Sequence, residues 1–521
     1  MVLGRSGRTR VRAAAPGDLW SLVEWRASET PSAPLAFDER DRRIDFADFR
    51  RWGERVAAGL LECGLRPGQR VAWVLPTRIE ALVLTIALAR LGCDQVPLIP
   101  VYGRREVGFI LAQSRPGWAV LPGTWNGIDY PNLFEQVRGD EASPEFLTAA
   151  PDLPEGDPAT LPAWERGIDD PPSWIFYTSG TTSNPKGVLH SDGTLLASAI
   201  GLDEPHAFVP DDRVSLVFPY AHIGGPILLL SALRVGHALI LSETFAPEVV
   251  IDALSRHGVT LAGPGPAFWQ AYLRAQCECP ESVLFSGLRA LIGGGAAKPA
   301  RLHAEAREVL GVPIVSGYGL TECPSLAYNH VGDPDGVLAS DGRAVAGVEI
   351  RIIGDDERVL PADEEGEIRV RGPMLFHGYL DAELDRGALD AEGFMRTGDL
   401  GRLDERGSLR VTGRAKDIII RKGENISAKE VEDVLASHSD IADVAVIGLP
   451  DRERGERCCA VVVTRENAVQ PTLEEIVAHC ERAGLMKQKI PEQLEWVVAL
   501  PRNSTGKILK TELRSRLDEP S

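Results

Sequence analysis

Lysine is scarce in this chain. Of the 56 lysine and arginine residues only nine are lysine, and the first of them is Lys186. A lysine ammonium is a compact charge with three rotatable donors, whereas the broad planar guanidinium of arginine would crowd a phosphate in a tight turn. We therefore expect lysine to persist where the chemistry requires it. Lys186, Lys416, Lys422 and Lys507 all lie in motif-like segments.

Long apolar runs and paired cysteines are also missing. No run of about 18 uninterrupted apolar residues occurs, so no integral membrane association is expected. The eight cysteines lack Cys-x-x-Cys spacing, which is typical of buried thiols in a reducing cytosol. A formal charge of -19 without a basic stripe argues against a nucleic-acid partner. We expect a cytoplasmic protein of at least two domains, because 521 residues exceed one ordinary core.

A loop rich in hydroxyls and glycine follows the apolar residues 174–177, and from Tyr177 to Gly187 it reads YTSGTTSNPKG. Small residues let the backbone approach an anion, the hydroxyls can donate hydrogen bonds, and Lys186 adds positive charge. The order Pro185-Lys186-Gly187 differs from that of a Walker loop, so this is another kind of phosphate loop. A polar surface turn would be the alternative if the loop stood alone. The predicted phosphate-binding residues are Thr178, Ser179, Gly180, Thr181, Thr182 and Lys186.

Strand-like apolar runs alternate with helical patterns through most of the chain. Residues 71–75 and 95–99 are predicted strands on either side of a helix over 79–91, which makes a βαβ unit. Short alternating runs after Gly342 predict a small β subdomain, and from Asp417 onward the pattern is that of a compact α+β unit. The predicted fold class is therefore α/β, with ligands at the loops that follow the strands.

Two glycine-rich segments follow predicted strands in the middle of the chain. Gly294, Gly295 and Ala296 form a turn where a flat base could lie against backbone, although such a turn is weak evidence alone. The second segment, residues 317–322, contains Tyr318 and Gly319 and ends at Thr321-Glu322. Its aromatic ring is suited to stacking and the Glu322 carboxylate to Mg²⁺, whereas a lone Thr-Glu would be a helix cap.

Three charged residues in the last quarter of the chain complete the candidate site. Asp399 is expected in a loop, where its carboxylate could accept both hydroxyls of a ribose, or could serve an ordinary turn. Arg414 could contact ribose or phosphate, or be solvated. Lys507 follows a glycine near the C-terminus, where a lysine is usually exposed.

Taken together, these motifs resemble the adenylate-forming (AMP-binding) superfamily, in its acyl-CoA synthetase branch. The resemblance extends from about residue 35 to residue 509. It implies an N-terminal AMP-binding domain over residues 1–413, built from α/β subdomains and a β subdomain, a hinge at 414–416 and a mobile α+β C-terminal domain over 417–521. It also implies that ATP and a carboxylic acid give an acyl-adenylate, whose acyl group then passes to coenzyme A.

The resemblance also implies a role for each matching residue. Lys507 would approach the reacting carboxylate and α-phosphate, and Glu322 would bind Mg²⁺. Thr178 to Lys186 would hold the β- and γ-phosphates, while Asp399 and Arg414 would clasp the ribose. Gly423 would border the tunnel for the pantetheine arm of CoA. The residues that would line adenine are Gly294, Gly295, Ala296, Tyr318 and Gly319.

Two positions depart from the family pattern or leave a choice. Ser183 stands where the family often has glycine, which removes some backbone freedom over the phosphates. His222 matches the family's aromatic gate at the carboxylate site, and a buried packing histidine is the alternative. With Thr321, Glu322 and Lys507, His222 completes the set of predicted catalytic residues.

No Asp or Glu occurs between Val214 and Leu241, so no carboxylate is expected there to pair a substrate ammonium. We expect an uncharged acyl group: medium-chain fatty, alicyclic or terpenoid, or aromatic. Free CoA is the expected acceptor, because no carrier-protein segment is recognised after Leu509. The rival hypotheses are a domain that loads a separate carrier protein, an enzyme for thioester formation alone, and a silent nucleotide-binding regulator. Whether the protein is a homodimer stays open.

Overall fold

A computed structural model describes residues 16–137, 144–149, 152–164, 170–178, 185–243, 246–295, 298, 300–421, 424–451, 455–466, 468–502 and 507–517. The strands within these ranges form sheets of nine, six, five and four strands and one two-stranded ribbon. The helices, in chain order, are α1 Leu19–Glu29, α2 Phe46–Glu62, α3 Ile79–Arg90, α4 Arg104–Ser114, α5 Tyr130–Gln136, α6 Asp192–His206, α7 Gly224–Val235, α8 Pro247–Arg256, α9 Pro266–Glu278, α10 Ala300–Val309, α11 Asp335–Leu338, α12 Ala428–Ala436, α13 Leu473–Arg482 and α14 Lys510–Leu517.

The strands are numbered in the same way. Those up to residue 344 are β1 Pro34–Asp38, β2 Arg43–Asp45, β3 Arg70–Trp73, β4 Asp94–Pro97, β5 Trp118–Leu121, β6 Thr124–Trp125, β7 Ile128–Asp129, β8 Glu145–Thr148, β9 Trp174–Thr178, β10 Lys186–His190, β11 Arg213–Leu216, β12 Ala238–Leu241, β13 Leu261–Ala262, β14 Ala290–Gly294, β15 Ile314–Leu320, β16 Cys323–Tyr328 and β17 Arg343–Ala344. The remaining strands are β18 Glu349–Ile353, β19 Gly366–Arg371, β20 Met395–Leu403, β21 Leu409–Arg414, β22 Ile418–Arg421, β23 Glu424–Ser427, β24 Ile441–Asp451, β25 Gly455–Thr464 and β26 Gln493–Trp496.

Two wound sheets form the larger part of the molecule. The six-stranded sheet has the order β10-β9-β4-β3-β5-β8, and the nine-stranded sheet has the order β17-β16-β15-β14-β13-β11-β12-β1-β2. Parallel pairs make up the middle of both sheets, and antiparallel strands lie at both edges of the nine-stranded sheet and at the β10 edge of the six-stranded sheet. In sheets of this kind ligands bind beyond the carboxyl ends of the parallel strands. The fold therefore predicts a ligand site at the carboxyl ends of β9, β14 and β15.

The predicted βαβ unit is confirmed as β3, α3 and β4. Residues 79–88 of α3 are all buried, and the helix packs against α1 and α2. A helix that is apolar all round must be covered on every side, which explains its position in the interior. The alternation of strands with helices continues through β12, β14 and β15.

The β subdomain predicted after Gly342 is the antiparallel sheet β18-β19-β20-β21. Here one expectation was wrong, because Asp399 lies within β20 and not in a loop. Gly398 has φ +67, and the pairing of β20 with both neighbours shifts register around this point. A strand with such an irregularity stays hydrogen-bonded to its neighbours, but the direction of a side chain at that point changes. The turn-like sequence Thr397-Gly398-Asp399 therefore marks an irregular strand.

The C-terminal part is a separate sheet, β23-β22-β25-β24 with β26 beside β25, and α12 to α14 pack against it. Ser427 caps α12 by accepting a hydrogen bond from the backbone N–H of Glu430. The chain passes from the β subdomain to this sheet through a 3₁₀ turn at Ala415–Asp417. The predicted hinge coincides with this turn, and its rotation stays a prediction.

No helix in the described part of the chain is both long and apolar enough to span a membrane. All eight cysteines are free thiols. Five of them are buried as expected, but Cys63, Cys277 and Cys279 are exposed. The expectation of buried thiols was therefore wrong for these three residues.

Candidate active site

The strands that flank the predicted phosphate loop bring its two ends together. β9 and β10 are antiparallel, and Thr178 pairs directly with Lys186. The Lys186 Nζ atom lies 5.0 Å from the ring centroid of Tyr379. The predicted loop residues Ser179, Gly180, Thr181 and Thr182 lie outside the described residues, as does Ser183.

Thr321 and Glu322 form the turn between β15 and β16, so the alternative of a helix cap is excluded. The backbone carbonyl of Glu322 accepts a hydrogen bond from the N–H of Phe376 at 2.9 Å. The hydroxyl of Tyr379 donates to Glu322 Oε1 at 2.8 Å. The predicted metal-binding carboxylate is thus fixed at both backbone and side chain.

His190, at the end of β10, was missed by the sequence reasoning. Its Nε2 atom lies 2.8 Å from the Thr321 carbonyl oxygen, and its Nδ1 atom lies 2.9 Å from Thr194 Oγ1. Because a carbonyl only accepts, the Nε2–H must donate to it. Burial lowers the pKa of His190 to about 4, so the ring is neutral at physiological pH. This hydrogen bond ties the strand of the phosphate loop to the turn that carries Glu322.

Tyr318, Asp399 and Arg414 meet in one cluster. The Tyr318 hydroxyl donates to Asp399 Oδ2 at 2.6 Å, and Arg414 Nε lies 2.8 Å from Asp399 Oδ1. Asp399 and Arg414 are partners across the β20 and β21 pair. Burial, together with the Asp399 carboxylate, raises the pKa of Tyr318 well above its usual range, so the phenol stays a donor.

The Asp399 oxygen that faces Arg414 has no aligned hydrogen-bond donor within the described part of the chain. Asp399 Oδ1 is buried and close enough to Arg414 for an ion pair, yet no donor among the described residues points at it with hydrogen-bond geometry. The contact with Arg414 is therefore an ion pair without a hydrogen bond, because a hydrogen bond needs alignment as well as proximity. A buried carboxylate oxygen without a donor fits a site that accepts a ligand hydroxyl.

The predicted adenine turn lies beside this cluster. Gly294 at the end of β14 pairs with Gly317 of β15, which precedes Tyr318 and Gly319. A Cβ atom on Gly294 would stand 2.4 Å from the Gly317 carbonyl oxygen, closer than side chains approach backbone. Glycine at this position lets the two strands lie edge to edge beneath Tyr318. Gly295 follows with φ +78, and Ala296 lies outside the described residues.

His222 lies just before α7 and is half-buried. The backbone N–H of Gly224 donates to its Nδ1 atom at 3.2 Å, and its ring meets Phe218 edge-on. Burial lowers the pKa of His222 to about 4, so the neutral ring carries its proton on Nε2. The structure is therefore compatible with both sequence hypotheses, a gate at the carboxylate site and a packing histidine.

The two C-terminal candidates are placed less completely. Lys507 lies between Arg502 and Ile508, which form a β-bridge, and shortly before α14. Gly423 lies outside the described residues. The predicted roles of both residues stay predictions.

The described site brings Lys186, the turn at Thr321-Glu322 and the cluster of Tyr318, Asp399 and Arg414 to the ends of neighbouring strands, and the chain belongs to the AMP-binding enzyme family. Residues 23–380 match that family, and residues 430–507 match the AMP-binding enzyme C-terminal domain. The predicted family, fold class and enzyme class, an AMP-forming acid–thiol ligase, are confirmed.

Three relatives show the range of the family around this chain. A medium-chain fatty-acid–CoA ligase of Escherichia coli K12 is 33% identical, over 96% of this chain and 90% of its own. A salicyl-AMP ligase / salicyl-S-ArCP synthetase of Mycobacterium tuberculosis H37Rv is 31% identical, over 91% and 85%. The crystal structure of ATP-bound MatB from Rhodopseudomonas palustris has a TM-score of 0.86 and 27% identity, covering 96% and 99%. The last of these supports ATP binding by this chain.

Proposed function

We propose that this protein is an ATP-dependent acyl-CoA ligase for an uncharged carboxylic acid. The observation that carries the proposal is the cluster of Tyr318, Asp399 and Arg414, in which Asp399 Oδ1 has an ion-pair contact with Arg414 but no aligned hydrogen-bond donor among the described residues. A ribose hydroxyl would supply that donor. The adenine would then lie along Gly294, Gly295 and Tyr318, and the phosphates would extend toward Lys186.

The chemistry of Glu322 fits Mg²⁺. This ion binds proteins through one or two carboxylates and completes its octahedron with phosphate oxygens and water. Within the described ranges, no three His, Cys, Asp or Glu side chains are grouped so as to hold a metal by themselves. The remaining ligands would therefore come from the nucleotide and water. When bound, the ion would neutralise charge on the phosphates.

The proposed reaction has two steps. First, a carboxylate oxygen of the acid attacks the α-phosphorus of ATP, the bond from that phosphorus to pyrophosphate breaks, and an acyl-adenylate forms. The Lys507 ammonium would offset the negative charge that develops on the α-phosphate. Second, the CoA thiol loses its proton to solvent, the thiolate attacks the acyl carbon, and the bond to the AMP oxygen breaks to release AMP. Gly423 would border the path of the pantetheine arm.

Several features support an uncharged acyl group. The segment between residues 214 and 241 contains no acidic side chain, and His222 is neutral above about pH 4. The cation in this segment, Arg234, forms an ion pair with Asp203. An acid with a second charge would therefore lose hydration without gaining a partner. Medium-chain fatty, alicyclic or terpenoid, and aromatic acids meet this condition, and the similarity to a medium-chain fatty-acid–CoA ligase favours the first.

Two alternatives have specific support. Transfer to a carrier protein is favoured by the similarity to a salicyl-S-ArCP synthetase. An enzyme for thioester formation alone is favoured by Ser183, which replaces a glycine frequent in the family's phosphate loop. CoA itself is proposed as the acceptor because most of the related ligases are named for it.

The deciding experiment is acid-dependent exchange of labelled pyrophosphate into ATP without CoA, across short, medium-chain, alicyclic and aromatic acids. The reaction is then repeated with CoA and the thioester is identified by mass. Exchange together with acyl-CoA is the expected result and ranks the substrates. Exchange without acyl-CoA would favour a carrier protein. No exchange with any acid, alongside conversion of a synthetic acyl-adenylate to acyl-CoA, would favour the half-reaction enzyme.

A further inference from the structure

Residues 376–380, here called the strap, run between the phosphate-loop strand and the acidic turn. Along one side the strap is hydrogen-bonded to β10, with Leu189 N–H donating to the Gly378 carbonyl and Leu380 N–H to the Gly187 carbonyl. Along the other side, Phe376 N–H donates to the Glu322 carbonyl at 2.9 Å. The strap therefore connects two segments that are far apart in the sequence and that both face the triphosphate in the proposed function.

Tyr379 is the residue of the strap whose side chain contacts both segments. Its hydroxyl donates to Glu322 Oε1 at 2.8 Å, and the Lys186 ammonium lies 5.0 Å from its ring centroid, within the range of a cation–π contact. The ring is 9% exposed and packs edge-on against Phe376, so its orientation is fixed. Its own backbone N–H donates to Asp385 Oδ1 at 2.8 Å.

We propose that Tyr379 is a positioning residue that holds the Glu322 carboxylate and the Lys186 ammonium in a fixed relation around Mg²⁺ and the triphosphate. Among the described residues, Tyr379 is the one hydrogen-bond donor to the Glu322 side chain, and it occupies Oε1 alone. The other oxygen, Oε2, is left for the metal. The inference rests on the proposed function in taking Glu322 as the metal ligand.

The hydroxyl stays protonated throughout. Burial, followed by the charge of Glu322, raises the pKa of Tyr379 far above its usual range. A neutral phenol fixes the direction of the carboxylate without neutralising its charge, which a cationic partner would do. Hydrogen bonds of this kind to metal-binding carboxylates typically account for about 10- to 100-fold in metal affinity or activity.

The ring and the hydroxyl can be tested separately. Tyr379→Phe removes the bond to Glu322 and keeps the ring over Lys186, whereas Tyr379→Leu removes both. The matched control is Tyr130→Phe, which removes a buried hydroxyl that donates to the Pro100 carbonyl at 2.7 Å. The measurement is calorimetric binding of ATP with excess Mg²⁺ and with EDTA, together with the urea midpoint of each variant.

For Tyr379→Phe we expect the dissociation constant for ATP with Mg²⁺ to rise about tenfold, and the constant in EDTA to stay unchanged. Tyr379→Leu should weaken binding in both conditions, and Tyr130→Phe in neither. Wild-type affinity of Tyr379→Phe in Mg²⁺ would overturn the proposal, as would an equal loss with and without Mg²⁺. Because the measurement contains no acid, failure of every acid to support exchange would affect the proposed function and leave this test intact.

Discussion

At the scale of single residues, the few lysines serve two different purposes. Three of them make ion pairs within the C-terminal part, Lys429 with Asp433, Lys489 with Glu430 and Lys510 with Glu432, at 2.6 to 2.7 Å. These contacts need only a positive charge. Scarcity therefore does not by itself mark a lysine as functional, and the case for Lys186 depends on its pairing with Thr178 and on its position over Tyr379.

Lys507→Ala should abolish pyrophosphate exchange while conversion of a supplied acyl-adenylate to acyl-CoA persists. The physical reason is that its ammonium is proposed to offset charge only in the adenylation step. Gly423→Leu should show the reverse pattern, because a larger side chain would narrow the path of the pantetheine arm. Both half-reactions are measured separately for each variant.

Lys487→Ala serves as the control, since Lys487 is an exposed lysine of the same C-terminal part. Equal loss of both half-reactions in Lys507→Ala would remove the assigned role. Unimpaired CoA turnover in Gly423→Leu would refute the placement of the tunnel.

A further prediction about a single residue concerns His237 and the pH dependence of stability. It is fully buried, its Nε2 atom lies 3.0 Å from Ser231 Oγ, and burial lowers its pKa from 6.5 to about 4. The unfolded chain therefore takes up a proton near pH 6.5 that the folded protein does not take up until about pH 4. Its contribution to the free energy of unfolding is complete above pH 6.5 and falls by about 1.4 kcal/mol per pH unit below it.

The measurement is the urea midpoint of the wild type and of His237→Gln between pH 4.5 and 7.5. Buried acids whose pKa is raised, Asp192 among them, add an opposite slope, so the difference between the two proteins is the informative quantity. We expect that difference to change with pH below about 6.5 and to be constant above it. A difference that is constant throughout would show that His237 titrates normally.

At the scale of secondary-structure elements, the site is built where strands come unusually close or become irregular. Asp399 meets Tyr318 and Arg414 from an irregular point in β20, and Gly294 and Gly317 pair β14 with β15 just before Tyr318. Both features need glycine. Gly398 has φ +67, and the Gly317 carbonyl lies too close to Gly294 for a Cβ atom.

Gly294→Ala should destabilise the protein by about 1–3 kcal/mol and weaken ATP binding, because its Cβ would force β14 away from the Gly317 carbonyl. The urea midpoint and calorimetric ATP binding measure the two effects. Gly336→Ala in α11 is the control, since no atom lies within 4 Å of the Cβ that it would add. Unchanged stability in Gly294→Ala would mean that the two strands can separate at little cost.

At the scale of the whole molecule, the connection between the β subdomain and the C-terminal sheet is the feature most relevant to mechanism. Ser427 Oγ caps α12 and also donates to the Thr412 carbonyl of β21 at 2.5 Å. One hydroxyl therefore links the first helix of the C-terminal part to the strand that leads into the predicted hinge. A rotation about residues 414–416 would change this contact.

Replacing Ser427 separates its two functions. Ser427→Asp keeps a capping acceptor for α12 and removes the donor to Thr412, whereas Ser427→Asn keeps both. We expect Ser427→Asp to change the free-energy difference between the relative orientations of the two parts by about 1 kcal/mol, which is the contribution of one hydrogen bond. Ser427→Asn is the control. Small-angle scattering and the distance between two fluorescent labels would report the shift. Identical distributions for Asp, Asn and wild type would show that this bond does not favour one orientation.

Several elements of the fold can be predicted from the sequence alone. The βαβ unit around α3 and the β subdomain after Gly342 follow from local periodicity. The sequence did not find His190 or Tyr379, because neither has a local signature and each acts through a partner more than 50 positions away. It also placed Asp399 in a loop, since turn residues and strand irregularities look alike in sequence.

What the sequence by itself determined was the family, the fold class and the chemical kinds of residue at the site, because short motifs retain their order and residue types along the chain. The tertiary structure alone decided which of those residues meet. Tyr318 and Arg414 meet at the buried Asp399, and Tyr379 contacts both Lys186 and Glu322. These contacts depend on strand register and on the packing of the strap, and a one-residue change in register would turn the same side chains away from the site.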